Sequence, residues 1–249
     1  MIELVGKIPE IVFGAVISTP IASGLTLAGL RFKHRVLDVR SMRSVFGFIA
    51  EPTHVFLPLN SPFDGGAASG YGDLLALTEL IAVSEKLHQR RSQISVHPGH
   101  PKFKPFATLK SQHIISIGGY KHNGMYRELI DHLRPPFHFW HKDQRGSREI
   151  RNEDQTVIFQ SRRDEKGALV YDIGLALRAP NPFNPDAVVL MVAGAHSYGS
   201  IAAMKYLCNP DTARDMPSQK GQRAMMVVAC DVDQHHIGRV RRVSDVVQW

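Results

Sequence analysis

The stretch that most constrains this chain is Ala187–Leu207, AVVLMVAGAHSYGSIAAMKYL. Ala187 to Gly194 are apolar or glycine without a break. Such a run predicts a strand buried on both faces, as in a parallel sheet covered by helices. A tight polar turn follows, Ala195-His196-Ser197-Tyr198-Gly199-Ser200, and then Ile201, Met204, Leu207 and Cys208 at helical spacing. In α/β proteins a strand, a glycine-bearing turn and a helix in this order form a functional edge. The first N–H groups of the helix, and the positive end of its dipole, point into the turn.

The rest of the chain supplies companions for that unit. Thr53 to Asn60 predicts a first strand, followed by the glycine-rich loop Asn60 to Asp73. Asp73 is placed to cap a helix carrying Leu74, Leu77, Leu80, Ile81, Ser84 and Leu87. Ile94 to His97 and Gln112 to Gly118 predict further strands. Gly118-Gly119-Tyr120-Lys121-His122-Asn123 is a turn in which Asn123 caps a helix through Leu133, ended by Pro135-Pro136. Between Phe137 and Ala179 the helical period gives way to short strands with a hairpin turn at Arg163–Gly167, which predicts an antiparallel insertion. Ala224 to Cys230 is a last core strand, with Ile237 to Val247 beside it. This order predicts an α/β fold, a Rossmann-like or flavodoxin-like three-layer sandwich. Parallel strands would bring the turns at 65–73, 118–123 and 194–200 to one sheet edge, where open α/β folds bind ligands.

The N-terminus adds a membrane expectation. Ile11 to Leu30 is twenty residues without a charge, with mean hydropathy of roughly +1.8, enough for a transmembrane helix. Arg31, Lys33, His34, Arg35, Arg40 and Arg43 follow it. The positive-inside rule then places the C-terminal part in the cytoplasm, on a single-pass anchor in the inner (cytoplasmic) membrane. A buried N-terminal helix or hairpin is the competing reading. The expected division is an anchor with its basic flank over 1–35, a linker over 36–52 with room for a short helix through Val36 to Val45, and the α/β domain over 53–249 with its β insertion at about 137–179. With 43% hydrophobic and 21% charged residues the chain can build a core. Its formal charge of +7 suits an anionic membrane surface as well as nucleic acid. The two cysteines, Cys208 and Cys230, lie in apolar runs and show no metal-site spacing.

Two kinds of chemistry fit the turns. Ala195-His196-Ser197-Tyr198-Gly199 is an A-x-S-x-G form of the nucleophile elbow, with Ser197 as nucleophile and His196 as an acid/base candidate. The triad is incomplete, because the only later histidines are His235 and His236, close in sequence to Asp231 and Asp233. The other chemistry is ligand binding, with Asp73, Gly118, Gly119, Asn123, Gly194, His196, Gly199 and Ser200 lining a site for a phosphorylated or nucleotide-like molecule. Lys121 and His122 stand beside it. Neither G-x-G-x-x-G nor a Walker A loop is present, so no cofactor is specified. Basic residues around Arg148–Arg151, Arg162-Arg163 and Arg239–Arg242 form no recognised nucleic-acid module, and nucleic acid is not an expected partner. The expected partners are a lipid bilayer through residues 11–30, a small-molecule ligand, and a membrane-protein partner or second copy of the chain.

The run Tyr171-Asp172-Ile173-Gly174-Leu175, then Arg178-Ala179-Pro180-Asn181-Pro182-Phe183-Asn184-Pro185, then Gly194, His196, Gly199-Ser200 and Ala202-Ala203 resembles an uncharacterised bacterial α/β domain family. That family's pattern is D-Y-G-L, R-x-x-N-P-F-x-P, an apolar strand and A-G-x-H-x-x-G-T. The likeness covers about residues 53–235. Here Asp172-Ile173 stands for Asp-Tyr and Ser200 for Thr, and the pattern does not require serine at 197. The resemblance implies a Rossmann-like fold and, by analogy of fold alone, a place near nucleotide-sensing and nucleoside-processing sandwiches. The combined expectation is a membrane-anchored cytoplasmic domain that binds a small, nucleotide-derived ligand in signalling or defence. The alternatives are a serine hydrolase using Ser197 and a non-catalytic subunit of a membrane assembly.

Overall fold

Strand β9 (Asn184–Gly194) covers the uninterrupted apolar run, and it lies parallel with the three strands on the side where it pairs with β3 (His113–Ile117). The computed structural model describes residues 39–58, 70–88, 93–99, 106–141, 148–217, 219–233 and 236–249. The expected transmembrane helix at 11–30 and most of the glycine-rich loop before Asp73 lie outside these residues. Among the described residues no helix is long and apolar enough to cross a membrane. The chain divides into residues 1–40 and a second unit, Ser41–Trp249.

The elements of the second unit form an α/β fold on a mixed sheet. Strands β1 (Thr53–Leu57), β2 (Ile94–Pro98), β3 (His113–Ile117) and β9 pair in the order β2-β1-β3-β9, all parallel. Beyond β9 the sheet turns antiparallel through β8 (Leu169–Asn181), β10 (Ala224–Asp233) and the edge strand β11 (His236–Arg242). The antiparallel segment expected over 137–179 therefore divides. β4 (Phe137–His141), β5 (Arg148–Asn152) and β6 (Ile158–Gln160) form a separate three-stranded sheet. β8 instead sits in the middle of the main sheet, where Ile173, Leu175, Leu177 and Ala179 are buried in its core.

Side-chain alternation along the strands gives the sheet two apolar faces. One face carries Phe56, Ile114, Met191, Leu175 and Val227 against helix α4 (Gly124–Leu133) and Ile150 of the small sheet. Helices α2 (Tyr71–His88) and α5 (Ser197–Cys208) pack against each other, and α5 crosses β8, β9 and β10. From residue 39 to 50, the segment expected as a linker is helical and packed into the core. Residues 41–46 end a helix, α1, that leads into a 3-10 turn at Gly47–Ala50, and Met42, Val45, Phe46 and Ile49 are fully buried. Their spacing of three, one and three residues makes one buried stripe along that helix and turn. Both cysteines are free thiols. Burial raises both above the ordinary thiol range, Cys230 to about 12, so neither is poised as a thiolate.

Candidate functional site

Parallel pairing puts the carboxyl ends of β1, β3 and β9 side by side, at Pro58, Gly118 and Gly194. Between these ends and the first turns of α2 and α5 lies a cavity of about 240 Å³. Asp73, Gly119, Lys121, His122, Gly194, His196, Ser197 and Ser200 line it, joined by Pro58, Gly70, Tyr120 and Phe139. Residues from three turns far apart in sequence thus meet at one edge. Gly118 sits behind Asp73 with φ of +89°, and a Cβ there would lie 3.3 Å from the Asp73 carboxyl carbon. A left-handed backbone and a carboxylate at its back both favour glycine at this position.

Asp73 does not cap α2. The helix begins at Tyr71, and Asp73 lies within its first turn, 8% exposed. Its Oδ1 has no hydrogen-bond partner among the described residues, while the Ser200 hydroxyl donates to the carboxylate. Burial raises its pKa to about 6, and the Ser200 hydrogen bond opposes that rise only in part. A carboxyl with a raised folded pKa holds its proton more tightly when folded. Its contribution to stability is full below about pH 4 and is lost as pH rises through 6. By neutral pH the buried charge costs about 3 kcal/mol. Asp73→Asn is therefore expected to be more stable than the wild type at pH 7.5, by up to about 3 kcal/mol, with no advantage below about pH 4. Urea unfolding at the two pH values checks this. A wild type more stable than Asp73→Asn at pH 7.5 would mean that the carboxylate is satisfied without a ligand.

Asn123 belongs to the scaffold and does not line the cavity. It is fully buried, and its carbonyl oxygen accepts from the Tyr126 N–H at 3.2 Å, capping α4 as expected. Its amide donates to Phe56 O at 3.0 Å and Ile117 O at 2.8 Å, tying the ends of β1 and β3 to the helix. Gly199 is likewise structural, in the first turn of α5 against the Ile173 backbone.

The start of α5 differs from an open anion site. His196 occupies the N-cap position but makes no side-chain capping bond. Asp172, fully buried on β8, takes that role. Its carboxylate accepts from the Gly199 N–H at 2.6 Å, the His196 N–H at 3.2 Å and its neighbour Ile173 N–H at 2.9 Å. A negative charge thus already stands where the helix dipole would draw a phosphate.

Ser197 is the first residue of α5, and its side chain lines the cavity. Among the described residues only Arg134 and Gln155 are non-glycine residues with positive φ. The strained backbone that thrusts a nucleophile out of an elbow is therefore lacking at Ser197. No described histidine hydrogen-bonds the Ser197 hydroxyl, whereas His196 Nε2 and Ser161 Oγ are a hydrogen-bonded pair at 3.2 Å. His235 lies outside the described residues. His236 opens β11, distant in the sheet order from the three strand ends that build the cavity. The sequence reading missed Ser161 and the capping role of Asp172. A carboxylate inside an otherwise apolar strand was the available signal, since such a group must find buried partners.

The chain matches no protein-family model and no curated protein.

Proposed function

We propose that this chain is a membrane-anchored protein whose Rossmann-like cytoplasmic unit binds a small nucleoside-like ligand as a sensor in signalling or defence. The observation that carries the reading is Asp73, buried in the cavity with an unpartnered oxygen. A buried acceptor of this kind is satisfied by a ligand that donates, such as a sugar hydroxyl or an amine. Asp172 already neutralises the start of α5, so the donor groups of the ligand go inward, to Asp73. An anionic group goes to the side of Lys121 and His122, which line the same cavity. About 240 Å³ is small for a binding pocket and suits a metabolite fragment better than a whole dinucleotide. The anchor rests on the uncharged run 11–30 and the basic residues after it.

The test is to prepare the full chain from membranes and identify the small molecules it retains by mass spectrometry. The wild type is expected in the carbonate-resistant fraction, carrying a hydroxyl- or amine-bearing compound. Asp73→Asn is expected to retain it at least about tenfold more weakly, because a neutral amide replaces a charged acceptor. Full solubility without detergent would overturn the anchor, and identical retention by both proteins would overturn the cleft. Ser197 lining the cavity favours hydrolysis as the second reading. Labelling of Ser197 by a fluorophosphonate probe, lost in Ser197→Ala, would move the assignment there.

A further inference from the structure

The opposite edge of the sheet, about 30 Å away along β9, holds a second cavity of about 240 Å³. It lies where β3 and β9 begin, between the turn at Phe48 and the loop at Lys220–Gln222. The motif Arg178-Ala179-Pro180-Asn181-Pro182-Phe183-Asn184-Pro185 borders it, and its polar side chains divide into two kinds. Asn181 donates to Lys110 O at 2.8 Å and Gln112 O at 2.7 Å, and Asn184 donates to Ser111 O at 3.0 Å. These bonds fasten the β8–β9 hairpin to the turn before β3. Arg178 has no such partner. It lines the cavity at 8% exposure, its Nε is unbonded, and it forms no ion pair with any described residue.

The acids of the same cavity are engaged elsewhere. Glu51 pairs with His113 at 3.0 Å, and Asp186 with Lys220 at 2.9 Å. Gln222 Oε1, also buried on this cavity, has no partner either. A guanidinium does not give up its proton. With its Nε buried and unbonded and no described carboxylate paired to it, its environment calls for an oxyanion. Gln222 selects which one. Its buried oxygen can accept only from a ligand that carries a proton. Carboxylate and sulfate carry none near neutrality, whereas inorganic phosphate keeps a P–OH in both of its neutral-pH forms.

We propose that this cavity is a phosphate site, with the phosphate oxygens held by Arg178 and the P–OH donating to Gln222 Oε1. Lys220 stands at the rim of the same cavity.

The test is thermal unfolding of the full chain titrated with inorganic phosphate, sulfate and glycerol phosphate, in chloride of matched ionic strength. Phosphate is expected to raise Tm saturably, with sulfate at least about tenfold weaker. Arg178→Met is expected to abolish the response, and apolar replacement of a buried unpaired charge is tolerated by the fold. Should it fail to fold, Arg178→Lys keeps the charge without the planar fork and is expected to bind at least about tenfold more weakly. Gln222→Leu is expected to bring phosphate and sulfate within about threefold of each other. Glycerol phosphate, whose ester dianion carries no P–OH, is expected to bind at least about tenfold more weakly than phosphate, and tighter binding would overturn the role given to Gln222. No saturable response to phosphate in the wild type, or an unchanged one in Arg178→Met or Arg178→Lys, would overturn the site. Asp73→Asn keeps the phosphate response, which separates this site from the cleft.

Discussion

Alanine at Gly194 is expected to cost about 3 kcal/mol or more. A Cβ at Gly194 would stand 2.1 Å from His196 O and 2.4 Å from Ser200 N. Both are backbone atoms of the turn and first turn of α5, so no side chain can swing away. The contact is one of four. A Cβ at Gly174 would meet Gly199 O at 2.2 Å, one at Gly199 would meet Ile173 O at 2.0 Å, and one at Gly72 would meet Ser197 O at 1.8 Å. None of these four glycines has positive φ, so they are needed for closeness and not for an unusual backbone. They let the first turn of α5 rest on the backbones of β8, β9 and α2, which sets Ser197 and Ser200 in the cleft. Urea unfolding of Gly194→Ala, beside Gly47→Ala, measures the effect. Nothing lies within 4 Å of a Cβ at Gly47, and its replacement is expected to change stability by less than about 1 kcal/mol. A loss below about 1 kcal/mol at Gly194 would mean that α5 can lift off the sheet freely.

What was legible in the sequence was local. β9 and α5 followed from an unbroken apolar run succeeded by a helical stripe, and the Asn123 cap followed from its place just before α4. The meeting of the three turns required only that β1, β3 and β9 run parallel, which continuous apolar strands favour. What was not legible depended on distant pairing. β8 has the apolar content of a core strand, yet it follows short antiparallel strands, and sequence order alone groups it with them. Its place between β9 and β10 is decided by pairing with residues 224–231, some fifty positions later. Asp73 resembled a cap because capping residues and first-turn acids occupy nearly the same positions, and only the burial of its side chain separates the two. A short helix through Val45 was legible, but the burial of Met42, Val45, Phe46 and Ile49 was hidden by the charges of Arg40 and Arg43 beside it.

Asp172→Ala is expected to destabilise the protein by about 3–5 kcal/mol. The carboxylate is fully buried and accepts the N–H groups of His196, Gly199 and Ile173. Alanine leaves those donors without their acceptor, and each buried unsatisfied group costs about 1–3 kcal/mol. It also removes the negative charge at the positive end of α5, worth up to about 2 kcal/mol in a partly buried geometry. Partial relaxation keeps the total below the sum. Asp172→Asn retains one oxygen acceptor but turns an N–H toward donors, so it is expected to recover less than half of the loss. Urea unfolding at pH 7 gives the totals, and hydrogen exchange at the Gly199 amide locates them, since that amide loses its 2.6 Å acceptor first. The effect reaches the cleft because His196, Ser197 and Ser200 all ride on the turn that Asp172 holds. Asp172→Asn molecules that remain folded are therefore expected to retain the cleft ligand at least about tenfold more weakly than the wild type. Unchanged stability and unchanged Gly199 exchange in Asp172→Ala would show that water or another group caps α5 equally well.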